Sequence, residues 1–349
     1  MTTRVAILGA TGYTGGELVR LLSRHPAVEI TTVTSERTAG HPYAESYPHL
    51  RGALGRELVC EKMDVDAIAA KADLAFCALP HAASMTVVAQ LLQRGLKVVD
   101  LSADFRLKDP AVYAQWYGLE HQNPELLGEA AYGLPEINRK AIPGARLVAN
   151  PGCYPTASLL ALAPLAHTRA ILRDHIIIDA KSGVSGAGRT PSQGSLYAEL
   201  EGGLRPYKVD AHRHVPEIEQ GLVMLGAGDG PVRFTPHLIP QSRGMLATVY
   251  VRPVESRSEE QWRRLFLDYY AQEACVRVLP AGHYPSTAQV RGANLCDIAV
   301  TLDPRTGMLV VMSVIDNLVK GASGAAVQNM NLILGLEERL GLEAMPLFP

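Results

Sequence analysis

The feature that most constrains the fold of this chain is a glycine-rich turn near its N-terminus. Residues 5–8 form an apolar run, residues 9–16 read GATGYTGG, and residues 17–24 place three leucines on one helical face. Glycines in such a turn let the backbone approach a pyrophosphate, which binds at the N-terminus of the helix. The spacing is GxxGxxG rather than GxGxxG, so the prediction of a dinucleotide-binding unit depends on its flanking strand and helix. The predicted contact residues are Gly9, Thr11, Gly12, Tyr13, Thr14 and Gly15.

The end of the second predicted strand, residues 29–34, bears on the choice of nucleotide. It is followed by Ser35, Glu36 and Arg37. An acidic residue here suits the free ribose of NAD, whereas a hydroxyl and an arginine suit the 2′-phosphate of NADP. We favour NADP, bound by Ser35 and Arg37 with Glu36 pointing away. The alternative is an ordinary solvated loop.

Two further buried strands, residues 73–79 and 97–101, each end in a polar loop. Ligand-binding residues of open α/β sheets gather beyond the carboxyl ends of the strands. These loops are therefore predicted to border the cofactor through Pro80, His81 and Ser102.

Arg106, in the second of these loops, is a candidate to bind an anionic group of the substrate. A purely structural ion pair is the alternative. Residues 108–134 are rich in Tyr, Trp, Pro and charge and are predicted to be an irregular excursion before a strand at residues 145–149.

A cysteine in a tight Pro/Gly turn follows, immediately before an apolar helical run. Residues 150–156 read NPGCYPT; Thr156 is predicted to cap the helix, and Pro155 suits its first turn. Cys153 would lie at the helix N-terminus, where N–H groups and the helix dipole favour the thiolate. We predict that Cys153 is a nucleophile; the alternative is a buried structural cysteine.

The rest of the chain supplies a strand at 176–180, a Ser/Gly loop at 181–189 of the kind that orders around a ligand, and the sequence HRH at 212–214. His212 and His214 are the best candidates for a base. A metal site is a poor alternative, because no cysteine or third histidine lies at ligand spacing. Five strands are then expected in hairpin-like succession, at residues 232–239, 244–252, 275–279, 296–302 and 308–315.

The predicted fold is α/β. Residues 1–150 are predicted to form a Rossmann dinucleotide-binding domain, completed by a C-terminal helix at about 317–349. Residues 151–316 are predicted to form an α+β catalytic and oligomerisation domain with a largely antiparallel mixed sheet and helices on one face.

Composition excludes several classes of protein. The chain has 33 Lys+Arg against 35 Asp+Glu and no run of like charge, which argues against a nucleic-acid or membrane-surface role. Its five cysteines are scattered, so neither disulfides nor zinc are implied. No signal peptide or membrane-spanning segment is predicted, and we expect a cytoplasmic protein with a small-molecule substrate and no metal.

A nucleotide domain, a helix-capped cysteine and downstream histidines together favour one chemistry. A thiolate attacks an activated acyl group, a leaving group departs to give a thioester, and a hydride from NADPH reduces the thioester to an aldehyde. A cysteine hydrolase would leave the glycine turn unexplained.

The motifs also resemble those of the N-acetyl-γ-glutamyl-phosphate reductase family of arginine biosynthesis, which is related to aspartate-semialdehyde dehydrogenase and more distantly to glyceraldehyde-3-phosphate dehydrogenase. The resemblance runs through the whole chain in order. It is carried by GATGYTG at 9–15, LPH at 79–81, DLSADFR at 100–106, PGCYPT at 151–156, HRHVPE at 212–217 and DNLVKG at 316–321.

This resemblance implies NADPH-dependent reduction of N-acetyl-γ-glutamyl phosphate to the γ-semialdehyde with release of phosphate. It implies that Cys153 is the nucleophile and one histidine the acid/base; we prefer His212, with His214 binding substrate. It also implies a homo-oligomer, a tetramer or dimer, formed through the second-domain sheet. The expected cofactor contacts in the second half are Ser182, Gly183, Asn317 and Gly321, with Asn317 and Gly321 beside the nicotinamide. The expected substrate contacts are Arg106, Asn150, Gly152 and Lys208.

Two alternatives stay open at this point. A lysine-pathway relative reduces a carrier-protein-linked aminoadipyl phosphate, although its cysteine motif lacks the prolines present here as Pro151 and Pro155. A catalytically inactive NADP-binding sensor is the other alternative.

Overall fold

A computed structural model describes residues 2–52 and 57–348. Within these residues the chain divides into two compact units, the first formed by residues 2–151 and 322–343 and the second by residues 152–321 and 344–348. The C-terminal helix predicted at about 317–349 is shorter in the structure, and residues 322–343 belong to the first unit.

The first unit is built on a parallel sheet in the order β3-β2-β1-β4-β5-β7-β6. Its strands are β1 (Thr3–Leu8), β2 (Val28–Thr34), β3 (Cys60–Glu61), β4 (Leu74–Cys77), β5 (Lys97–Asp100), β6 (Ala131–Tyr132) and β7 (Leu147–Ala149). Its helices are α1 (Tyr13–Leu22), α2 (Tyr43–Ser46), α3 (Val65–Lys71), α4 (Ala83–Gln93), α5 (Pro110–Tyr117), α6 (Glu125–Glu129), α7 (Pro135–Asn138) and α12 (Gly324–Ile333). The segment 108–134, expected to be irregular, therefore contains two short helices and a short strand.

The second unit contains a mixed sheet in the order β12-β13-β14-β11-β8-β10-β9. Its strands are β8 (Ile177–Gly183), β9 (Arg205–Pro206), β10 (Arg233–Ile239), β11 (Met245–Val251), β12 (Val276–Val278), β13 (Cys296–Leu302) and β14 (Leu309–Ile315). Its helices are α8 (Cys153–His167), α9 (Tyr197–Leu200), α10 (Val215–Met224) and α11 (Glu259–Tyr269). A π-helical turn at Val319–Ser323 follows β14.

Helix α8 is the centre of the second unit. Nearly all its side chains are buried, and it packs on β11 and β14 and against α10 and α11. An apolar helix of this kind is stable only in a protein interior, so its N-terminus is held firmly. On the sheet, β11 alternates buried and half-buried residues, as expected when one face packs on a helix.

The predicted α/β class and the two kinds of sheet are confirmed. The hairpin-like succession is confirmed for β13 and β14, which pair antiparallel. It is wrong for β10 and β11, and also for β12, which pairs parallel with β13 and is not a neighbour of β11. Strand β8 lies between β10 and β11, parallel to β10 and antiparallel to β11. No helix in the described residues is long and apolar enough to cross a membrane.

Candidate active site

The glycine turn of the first unit has the close packing that the sequence predicts. Gly9 has a φ of +77°, and a Cβ there would lie 2.4 Å from the carbonyl oxygen of Ala78. A Cβ on Gly15 would lie 2.5 Å from the carbonyl oxygen of Gly9. Gly12 is the N-cap of α1, which begins at Tyr13. A bare backbone before a helix N-terminus fits a pyrophosphate group.

The loop after β2 gives its side chains separate partners. The Ser35 hydroxyl is buried, 3.0 Å from that of Thr11, and so belongs to the glycine turn. The Glu36 carboxylate accepts a hydrogen bond of 2.9 Å from the Met63 N–H. Arg37 is exposed. Because the carboxylate is engaged elsewhere, the hydroxyl and the guanidinium fit a 2′-phosphate, and their role as ligands stays a prediction.

The loops after β4 and β5 share a buried polar network. Ser84 and Ser102 donate through their hydroxyls to the Asp100 carboxylate at 2.9 and 2.6 Å. Asp100 is fully buried, and this burial raises its pKa to about 6. Pro80 and His81 are exposed at the same end of the sheet. The Ser102 hydroxyl is therefore already hydrogen-bonded within the protein. Contact of Pro80, His81 and Ser102 with a cofactor stays a prediction.

Two predicted substrate ligands, Arg106 and Asn150, have main-chain and side-chain partners within the first unit. Arg106 donates to the carbonyl oxygens of Asn150 (2.8 Å) and Leu101 (2.9 Å). The Asn150 amide donates to the Ala322 carbonyl and accepts from the side chain of Asn329. Both residues are buried, so their direct role in substrate binding stays a prediction.

In the second unit, Cys153 is the first residue of α8, with Gly152 as N-cap. Thr156 does not cap the helix: its N–H and its hydroxyl both donate to the Gly152 carbonyl from inside the first turn. The prediction of that cap is wrong, because the helix begins three residues earlier. The Gly152 N–H donates instead to the buried Glu217 carboxylate at 2.9 Å, which fixes the turn before the cysteine.

His212 lies in an aromatic setting, with ring centroids 5.4 Å from Tyr154 and 4.9 Å from His214. Burial, then the charges of Lys208 and Arg213, lower the pKa of His212 to about 4. Its Nδ1 accepts a hydrogen bond of 3.2 Å from the His214 N–H, so the neutral ring carries its proton on Nε2. The group is thus a neutral hydrogen-bond donor near pH 7.

Tyr207 extends this aromatic group. Its hydroxyl donates to the Tyr154 hydroxyl at 3.1 Å, and Tyr154 donates to the His237 carbonyl at 3.3 Å. Burial raises the pKa of Tyr207 to about 12, so the hydroxyl keeps its proton. The ring after Cys153 is thereby held in one orientation.

The chain after β14 also lies against the cysteine. A Cβ on Gly321 would lie 2.8 Å from Cβ of Cys153. The Asn317 side chain accepts from the Gly244 N–H (2.7 Å) and donates to the Ser185 hydroxyl (2.9 Å), so it joins two loops. Ser182 is buried, and a Cβ on Gly183 would lie 2.9 Å from the Gln241 carbonyl. Their contact with a nicotinamide stays a prediction.

The predicted site residues thus form two groups, one in each unit. Lys208 is exposed, has a φ of +45° and acts on His212 through its charge; its substrate role stays a prediction. Glu217 lies in the HRHVPE motif but was assigned no role from the sequence, although an acidic residue in an apolar helical run is a usable signal. Tyr207 carried no such signal.

Family models and solved structures identify the class of enzyme fold to which this chain is similar. Residues 4–145 match a family model described as semialdehyde dehydrogenase, NAD binding domain, and residues 153–317 one described as semialdehyde dehydrogenase, dimerisation domain. The structure resembles aspartate semialdehyde dehydrogenase II from Vibrio cholerae, with a TM-score of 0.74 at 19% identity over 96% of this chain and 99% of that one. It also resembles the Candida albicans aspartate semialdehyde dehydrogenase solved with NADP, with a TM-score of 0.68 at 15% identity over 95% and 98% of the two chains. The fold is that of the semialdehyde dehydrogenases.

Curated relatives that match the chain over its full length identify the family within this class. An N-acetyl-gamma-glutamyl-phosphate reductase from Magnetococcus marinus is 57% identical over 100% of this chain and 99% of its own length. One from Pelotomaculum thermopropionicum is 53% identical over 100% of both chains. The chain belongs to the N-acetyl-gamma-glutamyl-phosphate reductase family.

Proposed function

We propose that this protein reduces N-acetyl-γ-glutamyl phosphate to N-acetylglutamate γ-semialdehyde, with NADPH as the reductant and release of phosphate, in arginine biosynthesis. The observation that carries the proposal is the full-length identity of 57% to a curated reductase of that name. Cys153 at the N-terminus of a buried helix supports the same reaction. The lysine-pathway alternative is not favoured, because relatives at 51–57% identity carry the glutamyl name.

In the first half of the reaction, Cys153 gives up its thiol proton to solvent and its sulfur bonds to the acyl carbon. The bond from that carbon to the phosphate oxygen then breaks, which leaves a thioester on Cys153 and free phosphate. The N-terminus of α8 favours the thiolate, and the Glu217 bond to Gly152 keeps the turn in place. Partial exposure of Cys153 lets the proton reach water.

His212 acts on the acyl oxygen. As the sulfur attacks, negative charge develops on that oxygen, and a neutral imidazole with a proton on Nε2 can donate a hydrogen bond to it. We propose that the acid/base role predicted for His212 is limited to hydrogen-bond donation, because a pKa of about 4 keeps the ring neutral near pH 7 with its proton on Nε2. His214 positions His212 through its main-chain N–H and is the proposed substrate ligand.

In the second half, NADPH supplies the hydride to the thioester carbon when it is bound. His212 again donates to the oxygen while charge develops there. The carbon–sulfur bond then breaks, the aldehyde leaves, and the Cys153 thiolate takes one proton from water. The residues proposed to hold the nucleotide are those of the glycine turn, together with Ser35, Arg37, Pro80, His81, Ser102, Ser182, Gly183, Asn317 and Gly321.

We further propose a homo-oligomer in the cytoplasm. The match of residues 153–317 to a dimerisation domain supports it, and so do the half-buried Leu246, Tyr250 and Met312 on alternate positions of β11 and β14. Their face of the sheet would pack on a second copy. Light scattering after gel filtration distinguishes a tetramer from a dimer.

The test of the reaction is NADP reduction at alkaline pH with phosphate and N-acetylglutamate γ-semialdehyde, on the wild type and Cys153→Ser. Phosphate-dependent turnover that the variant lacks is the expected result. Equal turnover in both proteins would exclude the thioester mechanism. No turnover in either, with NADPH still bound, would favour the aminoadipyl substrate or the sensor.

A further inference from the structure

The loops that follow β4 and β5 are tied together at two points. The Ala103 N–H donates to Nδ1 of His81 at 3.2 Å, and the Ala82 N–H donates to Oδ1 of Asp104 at 3.0 Å. A neutral His81 therefore carries its proton on Nε2. These two bonds hold the loop after β4 and the loop after β5 together. Under the proposed function, both loops border the cofactor, and the loop around Pro80 lies beside the nicotinamide.

Ala82 needs this support because its backbone is strained. Its φ of 72° lies in the left-handed region, which is unfavourable for any residue with a Cβ. Ala82 is also the N-cap of α4, and no side-chain cap bonds at that position. A strained residue persists only where its surroundings determine its conformation, and such residues cluster at ligand-binding sites. The hydrogen bond from the Ala82 N–H to the Asp104 carboxylate is one such constraint.

Asp104 is itself held in an unfavourable setting. Its side chain is fully buried, and among the described residues its Oδ2 has no hydrogen-bond partner. Its Oδ1 also accepts from the Tyr113 hydroxyl at 2.8 Å, and the Tyr113 ring stacks on Tyr117 with centroids 4.6 Å apart. A buried oxygen without a partner lowers stability, so the carboxylate is not explained by stability alone.

We propose that Asp104 is a positioning residue for the nicotinamide cofactor. Its carboxylate holds Ala82 in the left-handed conformation, and so fixes the direction of the His81 loop against which the cofactor binds. The inference rests on the proposed function, because that function makes these loops part of the NADPH site.

The experiment measures the Kd of NADPH by fluorescence titration, together with kcat and both KM values, for the full-length enzyme. Asp104→Ala removes the hydrogen bonds that Asp104 accepts from the Ala82 N–H and the Tyr113 hydroxyl. Ala82 should then leave its left-handed conformation, which should raise the Kd of NADPH about tenfold while kcat changes less than about twofold. Asp104→Asn keeps an acceptor oxygen and should bind within about twofold of wild type. Glycine tolerates a positive φ, so Ala82→Gly added to Asp104→Ala should recover about half of the loss on a logarithmic scale.

Asp109→Ala is the matched control. Asp109 lies on the same segment, is exposed and caps α5 through the Ala111 N–H. Its loss should lower the melting temperature without changing the Kd of NADPH. If Asp104→Ala does not fold, Tyr113→Phe, which removes one of the two donors to Asp104, should raise the Kd about threefold.

Three outcomes would overturn the inference. They are an unchanged Kd in folded Asp104→Ala or Tyr113→Phe, no recovery by Ala82→Gly, and an equal loss in Asp104→Asn and Asp104→Ala. A wild type that does not bind NADPH would overturn the proposed function as well, whereas normal wild-type turnover with an unaffected Asp104→Ala would overturn the positioning role alone.

Discussion

The two units of this protein build their functional surfaces in different ways. The first uses backbone: glycines without side chains, a helix N-terminus and loops at one edge of a parallel sheet. The second uses residues brought together from distant positions: Cys153 begins α8, the Glu217 side chain on α10 accepts from the Gly152 N–H, and the bare Gly321 after β14 leaves room for the Cys153 side chain. In the first unit, an added side chain would fill the space that the glycines leave open. In the second unit, the arrangement depends on contacts between residues that are far apart in the sequence. The variants below test that difference.

The largest effect is expected in the second unit, for substitution of His212. His212→Ala removes a donor to the acyl oxygen and should lower kcat/KM about 10²–10³-fold. His212→Gln keeps an N–H near the position of Nε2 and should lose only about tenfold. Steady-state kinetics of both variants checks this, and equal losses would indicate a proton acceptor instead of a donor.

The pH profile gives a second reading of the same residue. With a His212 pKa of about 4, kcat/KM of the free enzyme should show no ionisation of His212 near pH 6.5, and a step there that His212→Ala removes would contradict the lowered pKa.

Gly321→Ala should have the next largest effect. Its new Cβ would lie 2.8 Å from Cβ of Cys153, so the nucleophile must move. Displacement of a reacting group by about 1 Å can lower kcat about 10²-fold. Gly203→Ala is the control, because an added Cβ there meets no atom within 4 Å. An active Gly321→Ala would show that the contact is not essential to alignment.

The glycine turn of the first unit allows a matched pair of variants. A Cβ on Gly15 would lie 2.5 Å from the Gly9 carbonyl, so Gly15→Ala should lower the unfolding free energy by about 1–3 kcal/mol. A Cβ on Gly12 makes an ordinary contact of 3.5 Å, so Gly12→Ala should fold normally and raise the Kd of NADPH about tenfold. Urea unfolding and NADPH titration separate the two effects. Unchanged NADPH binding in Gly12→Ala would exclude Gly12 from the nucleotide site.

The smallest effect is a pH dependence of stability from Asp100. Burial raises its pKa from 3.8 to about 6, so the folded protein holds a proton that the unfolded chain has lost between these values. Stability from this group therefore falls as pH rises from about 4 to 6, by about 1 kcal/mol per pH unit. Asp100→Asn should remove this slope in urea unfolding measured at pH 5 and pH 6. An identical slope in the variant would contradict the raised pKa.

The sequence predicts the first unit better because its signals are local. The glycine turn, its strand and its helix lie within 22 residues, and the structure has all three in the predicted order. Helix α1 nevertheless begins at Tyr13, inside the range 9–16 predicted as the turn. Residues 108–134 carry no clear apolar period, so their two short helices and strand were missed.

In the second unit, long-range contacts override local patterns. The cap predicted at Thr156 is absent because α8 begins at Cys153, and the Gly152 N–H before it donates to Glu217 from another helix. Strands β10 and β11 are neighbours in sequence but not in the sheet, because β8 lies between them. The histidines were found by residue type, but the tautomer of His212 depends on a bond that only the structure reveals.

The discontinuous first unit has a consequence for synthesis on the ribosome. Helix α12 packs on α1, and the Asn329 side chain donates to the Gly133 carbonyl, yet residues 152–321 separate α12 from the rest of its unit in sequence. At about 5–20 residues per second, the nucleotide-binding unit waits about 10–35 s for its last helix. The second unit, although it is translated later, has nearly all its residues available first.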